Sequence, residues 1–253
     1  MIGTRLLTSS DIAQLDTAKQ ETYGAVGVSA DGRVYRYTKF GGTSTINPGL
    51  VLVGPAAPAN STALAITATG TGGQVAGNLV AGSYNLVITN GATAVTADQF
   101  ADGFLEIETG STLPLYSFRI QGNTAAAAST GYVTVNLVEP LPPQITTLVP
   151  GTDVVNLVLS KYAGPIASLT GNAPAGVTTT IVANTASVTN YGWLQTGGHA
   201  IVKATTATLG LGIAPDEAGT AGYVIIAAAT TGCIGYAKAS VVSGNASVEL
   251  NIV

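Results

Sequence analysis

The stretch YGWLQTGGHAIV, residues 191–202, decides how the chain is read. It carries the only tryptophan, Trp193, and the only histidine, His199, on either side of a Gly-Gly pair. An active-site His199 acting as general base would need a carboxylate to orient its ring. None lies within thirteen positions, and the nearest acids in sequence are Asp216 and Glu217. A strand, a Gly-Gly turn and a second strand account for the whole stretch. On that reading His199 starts a strand and faces solvent or a neighbour. Trp193 and Tyr191 anchor a core or an interface, because large aromatics bury much area.

The same pattern extends in both directions. GRVYRYTKFGG (32–42) follows the turn signal Ala30-Asp31-Gly32 and alternates Val34/Arg36/Thr38 with Arg33/Tyr35/Tyr37. NPGLVLVGP (47–55), residues 62–72, the segment around Phe104–Glu108 and two runs within 115–143 read as further strands. So do the start of 153–166, and 179–188, 190–196, 199–205, 222–229, 233–242 and the closing VSGNASVELNIV. Turn signals arrive at the 8–12-residue spacing of a sandwich or barrel. SSDIAQLDTAKQET (9–22) predicts the one short helix, capped by Ser9 or Ser10, with Ile12 and Leu15 on one face. Residues 1–8 read as extended.

The expected fold is mainly β: two small antiparallel β-barrel or sandwich domains, an N-terminal arm and at most one short helix. Residues 1–31 form the arm with its helix, and 32–60 are strands able to pack with the C-terminal domain. Residues 61–160 make a middle β-domain and 161–253 a C-terminal β-barrel. A faint echo between 34–58 and 193–217, each running strand, Gly-Gly, Thr-rich turn and Gly-Leu, fits a duplicated arrangement.

Charged residues make up 9% of the 253 positions, against about 25% in an average soluble domain, so the polar surface is built from Thr, Ser, Asn and Gln. Copies with so little charge repel each other weakly, which suits a subunit of an assembly. The net charge is −4, and five of the nine cations lie in the first 39 residues. The remainder is acidic, which argues against a nucleic-acid surface. The N-terminus lacks the pattern of a signal peptide, no apolar run reaches about 18 residues, and neither secretion nor a membrane is expected. Cys233 is the only cysteine, which excludes an intrachain disulfide, and it is expected to be a small buried apolar residue in a protein made in a reducing cytosol.

No catalytic, cofactor-binding or metal-binding residue is expected. Glu106 and Glu108 share one face of a strand without a partner and read as a solvated face. TADQFADG (96–103) lacks the spacing and distal Glu of a calcium loop. TGTGGQVAG and TLGLG lack the lysine and strand-to-helix context of a phosphate loop.

Several stretches, taken in order, resemble tailed-bacteriophage head proteins of the capsid-associated, decoration or cement type: IGTR (2–5), GRVYRYTKFGG (32–42), PGLVLVGP (48–55), NGATAVTADQFADGFLEIETG (90–110), YSFRIQGNTAAA (116–127), GYVTVNLVEPL (131–141) and NYGWLQTGGHA (190–200). The resemblance is one of pattern and spans most of the chain. It implies a non-enzymatic virion component, made in the host cytoplasm and carried on the outer face of the head. Its partners would be the major capsid protein and further copies of itself, as a homotrimer. An arm with Ile2, Arg5, Leu6, Leu7, Ile12 and Leu15 would dock on the shell, disordered until it does so. The alternatives are a tail, baseplate or fibre-associated β-protein, or a carbohydrate-binding adhesin. A sugar binder is expected to cluster Trp and Tyr beside carboxylates, and here they are dispersed.

Overall fold

The computed structural model describes residues 3–59, 61–66, 82–109, 116–128, 131–142, 153–168, 172–185, 188–227 and 232–252. The described chain is almost all β, with a single five-residue helix. It divides into two compact units, one made of residues 1–55 together with 161–253 and the other of 56–160.

The strand that organises the first unit is the opening stretch itself. Residues Tyr191–Lys203 form one continuous thirteen-residue strand, β12, and not the strand, turn and strand expected from the sequence. Numbered in chain order, β3 (Val34–Lys39) pairs antiparallel with its first half and β16 (Asn245–Asn251) with its second half. Gln195 faces Tyr35 and Gly197 faces Val34, so Thr196 is an extra residue with no counterpart. The Gly-Gly pair thus sits at a β-bulge, with Gly198 at φ +82° in the left-handed region that favours glycine. Before the bulge, residues 192–196 are buried on both faces, whereas after it Ala200 and Val202 are buried and His199 and Ile201 face outward.

Around β12 the ten-stranded sheet has two regions. In one, β12, β16, β15 (Gly235–Ala237), β13 (Gly212–Pro215) and β14 (Val224–Ile226) follow one another. A parallel bridge from Ala204 to Val224 returns β14 to the end of β12 and closes the ring. Val202, Ile213, Val224, Val248 and Leu250 fill it. In the other region, β11 (Pro174–Thr178) pairs with β12 and with β4 (Val51–Val53), and β2 (Val26–Ser29) pairs with β3. Strands β3 and β4, from the 32–60 segment, therefore belong to the same unit as residues 161–253. The two halves of the sequence echo meet here, since β3 and β12 are neighbours. They differ in form, because β3 ends before Gly41 while β12 runs through its Gly-Gly pair.

The N-terminal segment is folded onto this unit, which corrects the expectation of a free arm. β1 (Arg5–Leu7) pairs in parallel with β2, and α1 spans only Ser9–Ala13. Its cap is Thr8, not Ser9 or Ser10. The Asp11 N–H donates to the Thr8 hydroxyl at 3.2 Å, and the Asp11 carboxylate accepts from the Thr8 N–H at 2.8 Å, a reciprocal capping box. The helix stops after five residues because Gln14 turns extended and Asp16 exchanges two backbone hydrogen bonds with Tyr191 (2.9 and 2.8 Å).

Two other expectations change. Residues 179–188 form no strand among the described residues. Val182 bridges to Ile46, Thr185 to Val188, and Ile181 is exposed. The neighbouring strand is β11, which the sequence hides behind Pro174 and Gly176. Of the strand expected at 62–72, only β5 (Leu64–Ala65) and the bridge at Ile66 fall within the described residues.

The second unit is a six-stranded antiparallel sheet in the order β5, β10 (Asp153–Val158), β7 (Phe104–Thr109), β8 (Tyr116–Asn123), β9 (Tyr132–Leu137), β6 (Asn85–Thr89). A bridge between Ile66 and Ile88 joins its two ends into a near-closed barrel. Leu86, Ile88, Phe100, Leu105, Ile120 and Val135 form its core. The loop 96–103 is held by Asn123, which accepts from the Phe100 N–H (2.8 Å) and donates to the Thr96 carbonyl (3.0 Å).

A charged group shapes the turn after β13. Asp216 is buried and accepts from the Thr205 hydroxyl (3.0 Å) and the N–H groups of Ala218, Gly219 and Thr220 (3.2, 2.8 and 3.2 Å). Burial alone would raise its pKa. The Thr220 N–H, the Thr205 hydroxyl and the other two N–H groups outweigh burial and hold it below the ordinary aspartate value. A depressed folded-state value stabilises the fold above the unfolded pKa of about 3.9, and the contribution is lost as pH falls through the lower folded value. Asp216→Ala is expected to cost about 1–3 kcal/mol at neutral pH, through the loss of hydrogen bonds to a charged acceptor that hold the turn. Urea melts of wild type and variant should converge as pH drops below about 3.9, and a difference independent of pH would contradict the account.

Candidate functional site

Trp193 is a core residue. Its ring packs edge-on against Tyr37 (centroids 5.3 Å apart), the Arg5 guanidinium lies 5.9 Å from its centroid, and Leu7, Ile12, Ala25 and Tyr35 complete the cluster. Tyr191 is half-buried and lies parallel to both Tyr23 and Tyr37, each with centroids 6.5 Å away. Burial pushes the Tyr37 phenol up to about 12.

The residues expected to dock on a shell are therefore mostly committed. Leu7 and Ile12 are buried, and Leu15 packs partly buried against Phe40 and Leu194. Arg5 is ion-paired with Asp11 (2.8 Å) and Glu21 (3.4 Å). Leu6 alone of the apolar members described projects into solvent, 73% exposed, and Ile2 lies outside the described residues.

The candidate chemical groups are dispersed. His199 is exposed and stands directly across the β12–β16 pair from Glu249, a carboxylate 50 positions later that local sequence could not reveal. Glu249 also faces Tyr236 on its other side and lies 3.9 Å from Lys238. Glu106 sits between Asn156 and Ser117, and Glu108 sits opposite Val154, so neither meets a second carboxylate in its cross-strand row. In the loop 96–103, Asp98 accepts from the Asn123 N–H (3.3 Å) and Asp102 lies 3.5 Å from Arg119, so both carboxylates are turned to protein partners. Cys233 is exposed rather than buried. It precedes β15 in a connecting segment, and its thiol donates to the Gly235 carbonyl at 2.8 Å. Among the described residues no group of three or more His, Cys, Asp or Glu is placed to hold a metal ion, and no helix is long and apolar enough to cross a membrane.

Among the described residues, cavities on the first unit gather several polar groups. One of about 270 Å³ lies at the edge of Trp193 among Arg5, Asp11, Asp16 and Glu21. A second, of about 380 Å³, holds Lys161, Glu217 and Cys233. Burial, helped by the charge of Arg36, lowers the pKa of the Lys161 ammonium. A third, of about 750 Å³, lies beside the second half of β12 and gathers Arg33, Asn47, Thr179, His199, Lys203 and Tyr223. No local motif joins these six, because they come from five separate segments and meet only through the pairing of β12.

The molecule is thus a mainly β protein of two units, with a bulged central strand and a polar cavity beside it. Comparison with protein-family models, curated proteins and solved structures returned no match.

Proposed function

We propose that the chain is a non-enzymatic structural protein of a tailed-phage virion. It decorates the outer face of the head as a homotrimer and bridges neighbouring subunits of the major capsid protein. The observation that carries this reading is the ordered series of stretches running from IGTR at 2–5 to NYGWLQTGGHA at 190–200. The physics of the role agrees. A shell under outward pressure is reinforced by stiff bodies bound in many copies, where avidity multiplies modest contacts. Here the sheets close on themselves, charge is sparse, and Leu6, Ile201, Tyr236 and Val242 present large apolar side chains to solvent. With Leu7 and Ile12 buried, the contact area comes from such exposed side chains and not from an unfolded arm.

Imaging of intact particles provides the test. Averaged density for the chain is expected on the outer face of the head, and light scattering of the isolated protein should give three copies, with interfaces of at least about 1,000 Å² in total. Density on the tail or baseplate would favour a different virion role. Absence from purified particles would remove the virion reading altogether.

A further inference from the structure

We propose that the cavity beside the second half of β12 is a binding site for an anionic sugar, meaning a hexose carrying a carboxylate or a phosphate. Its volume of about 750 Å³ falls within the range of small-molecule sites. The cavity joins distant segments: Arg33 from the turn before β3, Asn47 and Pro48 from the loop before β4, Thr179 after β11, His199 and Lys203 from β12, and Tyr223 before β14.

Charge decides the ligand's sign. Arg33 and Lys203 both line the cavity, and no carboxylate is among the lining groups. Arg33 shares its charge with Asp31 at 2.8 Å, an aspartate that the Arg33 guanidinium and the Ser29 hydroxyl hold down at about 2. Lys203 makes no ion pair among the described residues, so it supplies the uncompensated cation. Glu249, the acid opposite His199, lies near Lys238 instead.

Hydrogen bonding decides the rest of the ligand. The Asn47 amide and the Tyr223 phenol each donate and accept, as sugar hydroxyls require. The Pro48 ring and the Tyr223 ring offer apolar surface to the C–H face of a pyranose. A simple anion would use Lys203 and leave these groups idle, and a neutral sugar would leave Lys203 unpaired. The site is independent of the decoration role, because it needs no partner chain and no particle.

Calorimetric titration of the full chain tests the proposal, using glucuronate, glucose 6-phosphate, glucose and inorganic phosphate as separate probes. One or both sugar acids should bind, and the preference between them identifies carboxylate or phosphate as the recognised group. Glucose and inorganic phosphate should each bind at least about tenfold more weakly. Lys203→Gln should weaken the preferred sugar acid about tenfold and Asn47→Ala severalfold, each with an unchanged melting temperature. The proposal is overturned if neither sugar acid binds at about 10 mM. It is equally overturned if phosphate alone matches glucose 6-phosphate with glucuronate silent, or if both folded variants bind like the wild type.

Discussion

Replacing Trp193 with Ala is expected to lower the stability of the unit formed by residues 1–55 and 161–253 by about 3–5 kcal/mol, and to release the N-terminal segment from it. The indole is almost fully buried. One side is closed by Gly27, where an added methyl would sit 2.9 Å from the indole and also run into Leu7. The other contacts are Tyr37, Arg5 and the buried Leu7 and Ile12. Removing the ring empties the cluster on which β1 and α1 rest. Those elements have little else to hold them, since β1 is three residues long and a five-residue helix does not persist in isolation. Hydrogen exchange read peptide by peptide is the suitable measurement, because the two units need not unfold together. Protection of residues 5–16 should fall further than that of β16. Equal protection of residues 5–16 in variant and wild type would show that the segment is held by something other than this cluster.

The second large effect is expected at the bulge. Gly198→Val should cost about 2–4 kcal/mol, combining the strain of a β-branched residue in the left-handed region with overpacking. A Cβ at Gly198 would lie 3.2 Å from Cγ and 3.3 Å from Cα of Arg33, at a φ of +82°. Gly210 is a matched control. Its φ is +81° and nothing lies within 4 Å of an added Cβ, so Gly210→Val carries the conformational strain without the contact. The difference between the two denaturation midpoints isolates the packing of β12 against the start of β3. If Gly198→Val is no worse than Gly210→Val, that packing contributes nothing.

This glycine also marks where the sequence could be read and where it could not. Alternation of Val, Thr and Tyr with polar residues located β3, β7, β9, β10 and β16, because that pattern is local and each strand has one buried face. Gly-Gly between two apolar runs looks the same locally whether the chain turns back or merely inserts an extra residue. What separates the two cases is Val34 opposite Gly197 and Asn251 on its other side, partners far away in the chain. The N-terminal segment carries no local signal of its packing for a similar reason. Leu7 and Ile12 are too few to form a core of their own, and the residue that completes it is Trp193. β11 has no alternation to reveal it, because Pro174 and Gly176 interrupt the pattern, although a proline is tolerated as the first residue of a strand. The cavity residues carried no signal at all, since a lone Lys203 or Asn47 in a polar chain is unremarkable until the fold brings them together.

The pairing of Tyr37 with Trp193 across the interposed unit has a consequence during synthesis. The strands described in the 56–160 unit pair with one another, so its sheet can form as soon as the unit leaves the ribosome. β2 and β3 emerge earlier, yet their central neighbour β12 is translated only after that whole unit. At roughly 5–20 residues per second, the wait is on the order of 10 s. Throughout it, Leu7, Tyr35 and Leu52 are nascent apolar side chains with no finished core to enter. In a protein whose mature surface has so few charges, that interval is when the chain most needs a chaperone.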